Sequence, residues 1–499
     1  MRLRTFLCLA ALASLLGVRP PTVAGQAIGD VEPLLRRLEA QEARMHQLED
    51  ELSARSGGHV ATPVSTNYNS AIMTRLDALE AAVNQKDEKK EEEDEWENVS
   101  GQKWTYKVGG RIHMDYVMWA EQNDASRAEA IGQGGANALG DAQNYFEFRR
   151  LRLEVKGEGY GVYDYKLQLD FEPEFNDFEG VSLKDVFFGI NYVPGLGYVR
   201  FGHFKEPFSL EELTSSNFIS FMERALPNEV FVPGRKVGVA AYNHNSDESL
   251  VWAGGVFFND IDDVLKERVT DNQGIDLTGR IVATPYFCEG GRYLLHLGAG
   301  ITYAHLAFDD EPGENPVARF RARPEVHEGP RWIDTGELAV DDYYVANLEA
   351  ATVWGPLSLQ SELFYTKTNG ILGTPDQEFW GAYAFASYFL TGENRLYERK
   401  EGCFGRVTPF TNFWIVPTAE GTDIGWGAWE VLARWSYLDL NNTPDDESGL
   451  QNDATFGLNW YWNPYTRMMF NYIHSWSNYQ NGDPTAENDI VGVRLQVDF

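Results

Sequence analysis

The chain has 499 residues and carries 42 Lys and Arg against 75 Asp and Glu, a formal charge of -33. That excess argues against nucleic acid as a partner, because phosphates would be repelled. A mean hydropathy of -0.38 is too polar for a bundle of membrane helices but not for a barrel, which shows lipid only alternate residues of each strand.

Residues 1–25 read as a signal peptide: Arg2 and Arg4 precede an apolar stretch over 6–18, and Val23-Ala24-Gly25 or Gly25-Gln26-Ala27 offers a cleavage site. No run of 18 apolar residues follows, so a membrane-spanning form must be a closed barrel. Over 26–56, Val31, Leu34, Leu38, Gln41, Met45, Leu48 and Leu52 alternate by three and four, the seam of a coiled-coil oligomerisation helix. A solvated single helix is the alternative. Residues 57–102 form a linker in which Ile72, Leu76, Leu79 and Val83 briefly resume the seam before the mainly acidic run 86–97. Together they predict a periplasmic arm tethered to a domain over 103–499.

From residue 103 the period changes to two. Tyr106, Val108, Gly110, Ile112, Met114, Tyr116 and Met118 alternate with Lys107, Gly109, Arg111, His113 and Asp115; Leu151, Leu153 and Val155 with Arg150, Arg152, Glu154 and Lys156; and Tyr165, Leu167, Leu169 and Phe171 with Lys166, Gln168, Asp170 and Glu172. Period two puts one set on each face of a sheet, and ionised groups on nearly every rung suit an aqueous lumen. The pattern recurs in 357–365, 378–389, 429–437 and 456–462, with weaker runs near Val186, Val199, Val237, Val251, Leu277, Leu294, Tyr344, Phe404 and Phe470. The last strand, 489–499, sets Val491, Val493, Leu495, Val497 and Phe499 against Gly492, Arg494, Gln496 and Asp498. The candidates number about 16 or 17, and single-chain barrels have even counts. The expected fold is therefore all-β, a transmembrane antiparallel β-barrel of about 16 strands preceded by the periplasmic coiled coil. Trp119, Trp252, Trp354, Trp414, Trp429, Trp460, Trp462 and Tyr472 suit interfacial girdles.

Two long breaks interrupt the strands. Residues 309–341, rich in Pro and charge, suit an exposed outer loop. Residues 205–236 hold Pro207, Pro227 and Pro233, with Ser209 as N-cap for a short helix over 210–213 and a second helical turn over 217–226. A loop of this length with apolar anchors is usually functional.

Here the chain resembles the phosphate-selective porin O and P family, through GHFKEPFSLEELTSSNFISFMERALPNEVFVPGRKVGV from Gly202 to Val239, FEFRRLRLEVKG from Phe146, ASYFLTGENRLYE from Ala386, GAWEVLARWSYLDL from Gly427, FGLNWYWNPYTRMMFNY from Phe456 and GVRLQVDF from Gly492. The resemblance runs from about residue 104 to the end. It implies a homotrimer of 16-stranded barrels in outer-membrane lipid, with loop 205–236 folded into each lumen, and passage of small hydrophilic solutes or anions such as phosphate. The candidate constriction residues on this loop are Lys205, Glu211, Glu212, Asn217, Glu223, Arg224, Arg235 and Lys236.

Anion selection needs cations where the pore is narrow. Between Glu206 and Arg235 the loop offers Arg224 and Arg235 against Glu206, Glu211, Glu212, Glu223 and Glu229, a net acidic set. Arg111, Arg150, Arg152, Lys156, Lys166, Arg280, Arg434 and Arg494 fall on lumen faces; they form a basic track or brace the loop through ion pairs. A non-selective or cation-preferring channel that also tethers the envelope through its coiled coil is the alternative. An enzyme is not expected, since His113, His203, His296, His305 and His474 lack a companion nucleophile motif, and nothing points to a metal or cofactor. Cys8 lies in the segment expected to be removed; Cys288 and Cys403 form a disulfide or remain two free thiols.

Overall fold

The computed structural model describes residues 104–128, 141–172, 181–258, 274–307, 316–418, 421–441, 448–479 and 485–499. The expected signal peptide (1–25), coiled-coil helix (26–56) and linker (57–102) lie outside the described residues.

Sixteen strands build one wall. They are β1 (Lys107–Gln122), β2 (Tyr145–Gly159), β3 (Tyr163–Asp170), β4 (Ser182–Val193), β5 (Gly197–Lys205), β6 (Arg235–His244), β7 (Leu250–Phe257) and β8 (Ile275–Cys288). The second half comprises β9 (Tyr293–His305), β10 (Leu338–Trp354), β11 (Leu357–Gly370), β12 (Gln377–Phe389), β13 (Ala428–Asp439), β14 (Gly449–Asn463), β15 (Thr466–Tyr479) and β16 (Ala486–Asp498). Each pairs antiparallel with its sequence neighbour. β16 pairs back with β1, from Arg111 opposite Asp498 to Gln122 opposite Asn488, and so closes the sheet. Closure leaves no strand edge, the condition for a sheet in hydrocarbon, where unpaired backbone groups have no water to bond. The expected count of 16 holds. The seventeenth candidate run, near Phe404, is a two-residue strand paired with Tyr397–Glu398, packed with Leu294, Ala351 and Val353 inside the wall.

Alternation fixes which residues face which side. On β16, Asn488, Arg494, Gln496 and Asp498 are buried on the inner side while Val491, Val493, Leu495 and Val497 take the other. On β10, Asn347, Glu349, Ala351 and Val353 point in; Leu348 and Trp354 are exposed outside. Tyr344 and Trp354 stand ten residues apart on that outer face, roughly 33 Å along a strand rising about 3.3 Å per residue. A strand tilt of about 40° reduces this to about 25 Å, the height of the apolar band of a membrane barrel. Aromatic rings flank the band at both levels: Tyr365 lies 6.0 Å from Tyr344 and 4.5 Å from Trp380, and Trp354 lies 6.3 Å from Tyr286 and 5.0 Å from Tyr293.

One break in the alternation matters for the lumen. In β2, Phe146 and Phe148 point outward, as do Leu151 and Leu153, so the parity changes between them. His113 of β1 faces Arg150 while Met114 faces Phe148, which leaves Arg149 as the extra residue of a β-bulge. Arg149 and Arg150 therefore both turn inward.

Short connections (160–162, 194–196, 289–292, 355–356, 464–465) join the strands at the rim where β1 begins and β16 ends. Longer ones leave the other rim. The loop between β9 and β10, expected to be exposed, turns inward over its described part: Glu325, Val326, Trp332 and Ile333 are buried, with Trp332 packed 5.4 Å from Trp119. Its apolar residues find cover only against the inner wall. Cys288, exposed, and Cys403, buried, are both free thiols.

Candidate functional site

The loop between β5 and β6 begins with α1 (Leu210–Leu213) and later forms α2 (Leu226–Phe231). Ser209 caps α1 as its sequence predicts, its hydroxyl accepting from the Glu212 amide at 3.2 Å. The second helix lies later than the expected 217–226. Pro227 sits in its first turn, where a missing amide N–H costs nothing, and 217–225 instead crosses the lumen in turns. An apolar seam seats the loop on the inner faces of β10 to β13: Phe208, Phe221, Ala225, Leu226 and Phe231 pack with Val345, Phe364, Phe379, Tyr383, Phe385 and Leu432. α2 lies so close to β12 that a Cβ on Gly381 would meet Pro227 Cβ at 2.4 Å.

Charged groups then lock the seam. Glu362, on β11, accepts the amides of Leu210 (3.1 Å) and Glu211 (2.9 Å), the Tyr383 hydroxyl (2.6 Å), the Asn347 amide (3.1 Å) and the Ser209 hydroxyl (3.2 Å). It holds Ser209 at φ 65, a left-handed backbone that costs a non-glycine residue about 1–3 kcal/mol. Glu211 pairs with Arg434 at 3.2 Å, and Glu212 with Lys205 and Arg224, each at 2.9 Å. Glu223 meets Arg149 at 2.9 Å, Arg494 at 2.6 Å and Arg150 at 3.5 Å. Arg494 also grips Asp115 through two bonds of 2.7 and 2.6 Å and donates to the Met222 carbonyl. Glu229 lies 3.5 Å from Arg323 of the second inward loop, whose Glu325 pairs with Arg434.

These contacts decide what faces the open space. Beside the loop lies a cavity of about 1800 Å³, lined by thirteen Lys and Arg side chains against seven Asp and Glu. None of the five loop glutamates is in that lining, whereas Lys205, Arg224, Arg235 and Lys236 are. The loop is net acidic in sequence and basic on the side it shows. Across the cavity, Arg152 is 2.6 Å from Asp170, Lys184 is 4.0 Å from the same carboxylate, and Lys166 and Arg235 share Asp185 at 2.8 and 2.6 Å. Arg111 donates to Ser216 at 2.8 Å. Arg200 reaches no carboxylate within ion-pair distance among the described residues and rests 4.1 Å above the Phe187 ring, donating to the Tyr198 hydroxyl.

The sequence-derived residues thus divide. Arg111, Arg150, Arg152, Lys166 and Arg280 line the cavity with Lys205, Arg224, Arg235 and Lys236. Arg280 is nonetheless held by two bonds of 2.8 and 2.7 Å to Glu349 and one to Gly402. Arg434 and Arg494 lie beneath the loop as braces, outside the lining, together with Glu211, Glu212 and Glu223. Asn217 is also under the loop, accepting from Gln496 through its carbonyl at 3.0 Å. Lys156 is exposed, outside the lining, and 2.9 Å from Glu154. Sequence reasoning missed Arg149, Lys184, Arg200 and Glu362. The parity change at Phe148 to Leu151 signals Arg149, and alternation within β4 and β5 would have found Lys184 and Arg200. Glu362 has no local signal, because its loop partners Ser209, Leu210 and Glu211 lie 151 to 153 residues away.

Glu147, His327 and Glu328 bring possible metal-ligand atoms within 4.8 Å of one another. His327 Nδ1 is already hydrogen-bonded to Glu147 at 2.7 Å, and Arg323 lies 3.6 Å from Glu328, so the cluster works as a hydrogen-bonded clasp between the second loop and β2.

Comparison with known proteins follows the same outline. The sequence pattern of the family described as Phosphate-selective porin O and P matches residues 107–499. An uncharacterized protein of Caulobacter vibrioides is 31% identical over 411 residues, 79% of this chain and 74% of that protein. Porin O of Pseudomonas aeruginosa is 26% identical over 448 residues, 80% of this chain and 90% of that protein. Among solved structures, the anion-selective porin from Comamonas acidovorans aligns with a TM-score of 0.46 at 13% identity, over 79% of this chain and all of that one. The outer membrane channel DcaP of Acinetobacter baumannii aligns at 0.45 and 12% identity, over 80% and 99%.

Loop anchoring predicts a pH window. Burial opposes the charge on Glu223, but Arg149, Arg150 and Arg494 outweigh it and hold the carboxyl well below its usual range. Its contribution is present above the ordinary carboxylate pKa and is lost as pH falls through the depressed one. Glu206 behaves oppositely: burial, then Asp276, push it up to about 8 against the pull of Lys236, so stability falls as pH climbs from the ordinary carboxylate range toward that value. Limited proteolysis of the refolded barrel is expected to show loop cleavage rising on both sides of this window. Glu206→Gln should remove the alkaline arm alone. Glu223→Gln should speed cleavage at every pH, since stripping one partner from a buried pair costs about 3–5 kcal/mol. Flat cleavage across pH in the native chain would contradict the assignment.

Proposed function

We propose a passive, anion-preferring channel, from the premise that the chain belongs to the phosphate-selective porin O and P family. The protein is an outer-membrane porin, and that family supports a channel as its activity. The preference for anions rests on one observation: loop carboxylates are spent on wall arginines, and the cavity beside them is lined by an excess of cations.

A hydrated solute entering the lumen passes between the loop and the wall of β2 to β6. The loop narrows the passage and sieves by size. Lys184, Arg152, Lys166 and Arg235 set a positive potential that lowers the barrier for small anions, inorganic phosphate among them, and raises it for cations. Because Asp170 and Asp185 keep these side chains apart and partly neutralised, an anion meets a graded field rather than a trap, and passage needs a site weak enough to leave. The net charge of -33 does not oppose this, since potential in a narrow lumen is set by the nearest groups.

Around the channel, the proposal includes export by a signal peptide over 1–25 and a homotrimer in outer-membrane lipid, with 26–56 as a periplasmic coiled coil joined through 57–102. In planar bilayers, deleting residues 26–102 is expected to leave the unit conductance unchanged while loosening the trimer in detergent. An equally stable trimer would remove the oligomerising role of the arm.

Reversal potential in a KCl gradient tests selectivity. The native channel should pass chloride more readily than potassium, with current reduced by added phosphate. Lys184→Glu, which reverses the charge at the wall cation whose ion pair is the longest, 4.0 Å from Asp170, should move the potential toward that of potassium. A native channel that prefers potassium would overturn the anion reading and leave the porin fold in place.

A further inference from the structure

The long connection 390–427 joins β12 to β13 at the short-turn rim, where neighbouring strands need only a few residues. Among the described residues, none of its second half lines the cavity. Trp414–Thr418 and Gly421–Gly425 form an antiparallel hairpin, with Ile415 opposite Ile424.

The base of this hairpin is fixed to the outer face of the wall. Phe413 donates its amide to the Trp462 carbonyl at 2.6 Å and lays its ring 4.5 Å from that of Trp460. The indole N–H groups of Trp429 and Trp460 both donate to the Trp426 carbonyl, at 3.2 and 2.9 Å. Trp429 and Trp460 are stacked at 4.9 Å. Their chain neighbours Glu430, Asn459 and Tyr461 are buried inside the barrel, so alternation turns both tryptophans toward lipid. Gly427, at φ 68, sets the angle of attachment; a Cβ there would meet the Tyr461 carbonyl oxygen at 2.1 Å.

Around this base several large apolar side chains are exposed, beside the smaller polar Thr411, Asn412 and Thr422. Phe410, Trp414, Ile415 and Trp426 are 66%, 64%, 61% and 71% exposed, and no Lys or Arg occurs between Arg406 and Arg434. In water so much clustered apolar surface is unfavourable and uncommon on a soluble face. At the bilayer interface, tryptophan is the favoured residue.

We propose that this hairpin lies in the phospholipid leaflet on the short-turn side, which in such barrels is the periplasmic side. Its apolar face sits at the boundary between headgroups and acyl chains and extends the aromatic girdle of β13 and β14 sideways. Lipid is the occupant because the hairpin grows out of lipid-facing tryptophans, not out of the lumen or the rim. The added contact anchors the barrel's depth on this flank, where a short turn would leave only the wall to do so.

Spin labelling tests it on the full chain in vesicles of phosphatidylethanolamine and phosphatidylglycerol. With Cys288→Ser removing the exposed thiol, a nitroxide is placed at Ile415→Cys, and in a second chain at Ile424→Cys in case the first does not fold. Leu348→Cys, on the outer face of β10, supplies the lipid reference. The expected result is faster collision with dissolved oxygen than with a nickel chelate, intermediate between the Leu348 label and free label in water. Nickel-dominated relaxation at both positions would place the hairpin in water and overturn the proposal. Spin–spin broadening between protomers would overturn it too, by assigning the surface to a second copy of the chain.

Discussion

Glu223 keeps its negative charge where little water reaches, and Arg149, Arg150 and Arg494 stand around it. A buried carboxylate is tolerable only when its desolvation is offset by close cations with good geometry. Here the cations come from strands at the seam where the barrel closes: Arg149 and Arg150 from β2, Arg494 from β16, the last held in turn by Asp115 of β1. The same contact therefore ties the loop to the wall and ties β1 to β16 across the closure. Without it the loop would carry an unpaired charge into the lumen and lose its seat at the end of the segment that crosses.

The remaining loop carboxylates repeat the arrangement, and this resolves an apparent contradiction in the sequence. A chain of net charge -33 with an acidic loop reads as a poor anion channel if every ionisable residue is counted alike. Position changes the count. No loop glutamate lines the cavity: Glu211 pairs with Arg434, Glu229 lies toward Arg323, and Glu212 sits behind Lys205 and Arg224, which do line it, and the cations of β2 to β6 are left facing it. On the proposed reading, anchoring and charge selection are one device: the negative charge that fastens the loop is the negative charge kept out of the cavity lining.

Much of the wall was legible because a half-buried strand must alternate. Sixteen of seventeen candidate runs are wall strands, and the terminal strand faces as its sequence indicates, with Arg494 inward and Val491, Val493, Leu495 and Val497 outward. The run near Phe404 misled because apolar residues covered by a folded-in connection look like residues covered by lipid. Loop 309–341 misled for the converse reason, its charges suggesting water when much of its described part is buried, with ion pairs such as that of Glu325 with Arg434. The helix expected over 217–226 falls later because Pro227 favours the first turn of a helix more strongly than the apolar spacing before it. Which wall arginines brace the loop and which line the cavity was not legible at all. Arg434 and Arg152 have the same parity relation to their strands, and only the path of the loop across β10 to β16 separates them. Glu362 illustrates the same limit, a residue that anchors the loop through partners distant along the chain.

Ion positions in the lumen test most directly the claim that the loop turns its acids to the wall and leaves a basic passage. Crystals soaked separately in bromide and rubidium would report them through anomalous scattering. The account predicts bromide peaks along Arg152, Lys184 and Arg235, and no rubidium beside Glu211, Glu212 or Glu223. Rubidium along that wall with bromide absent would contradict it.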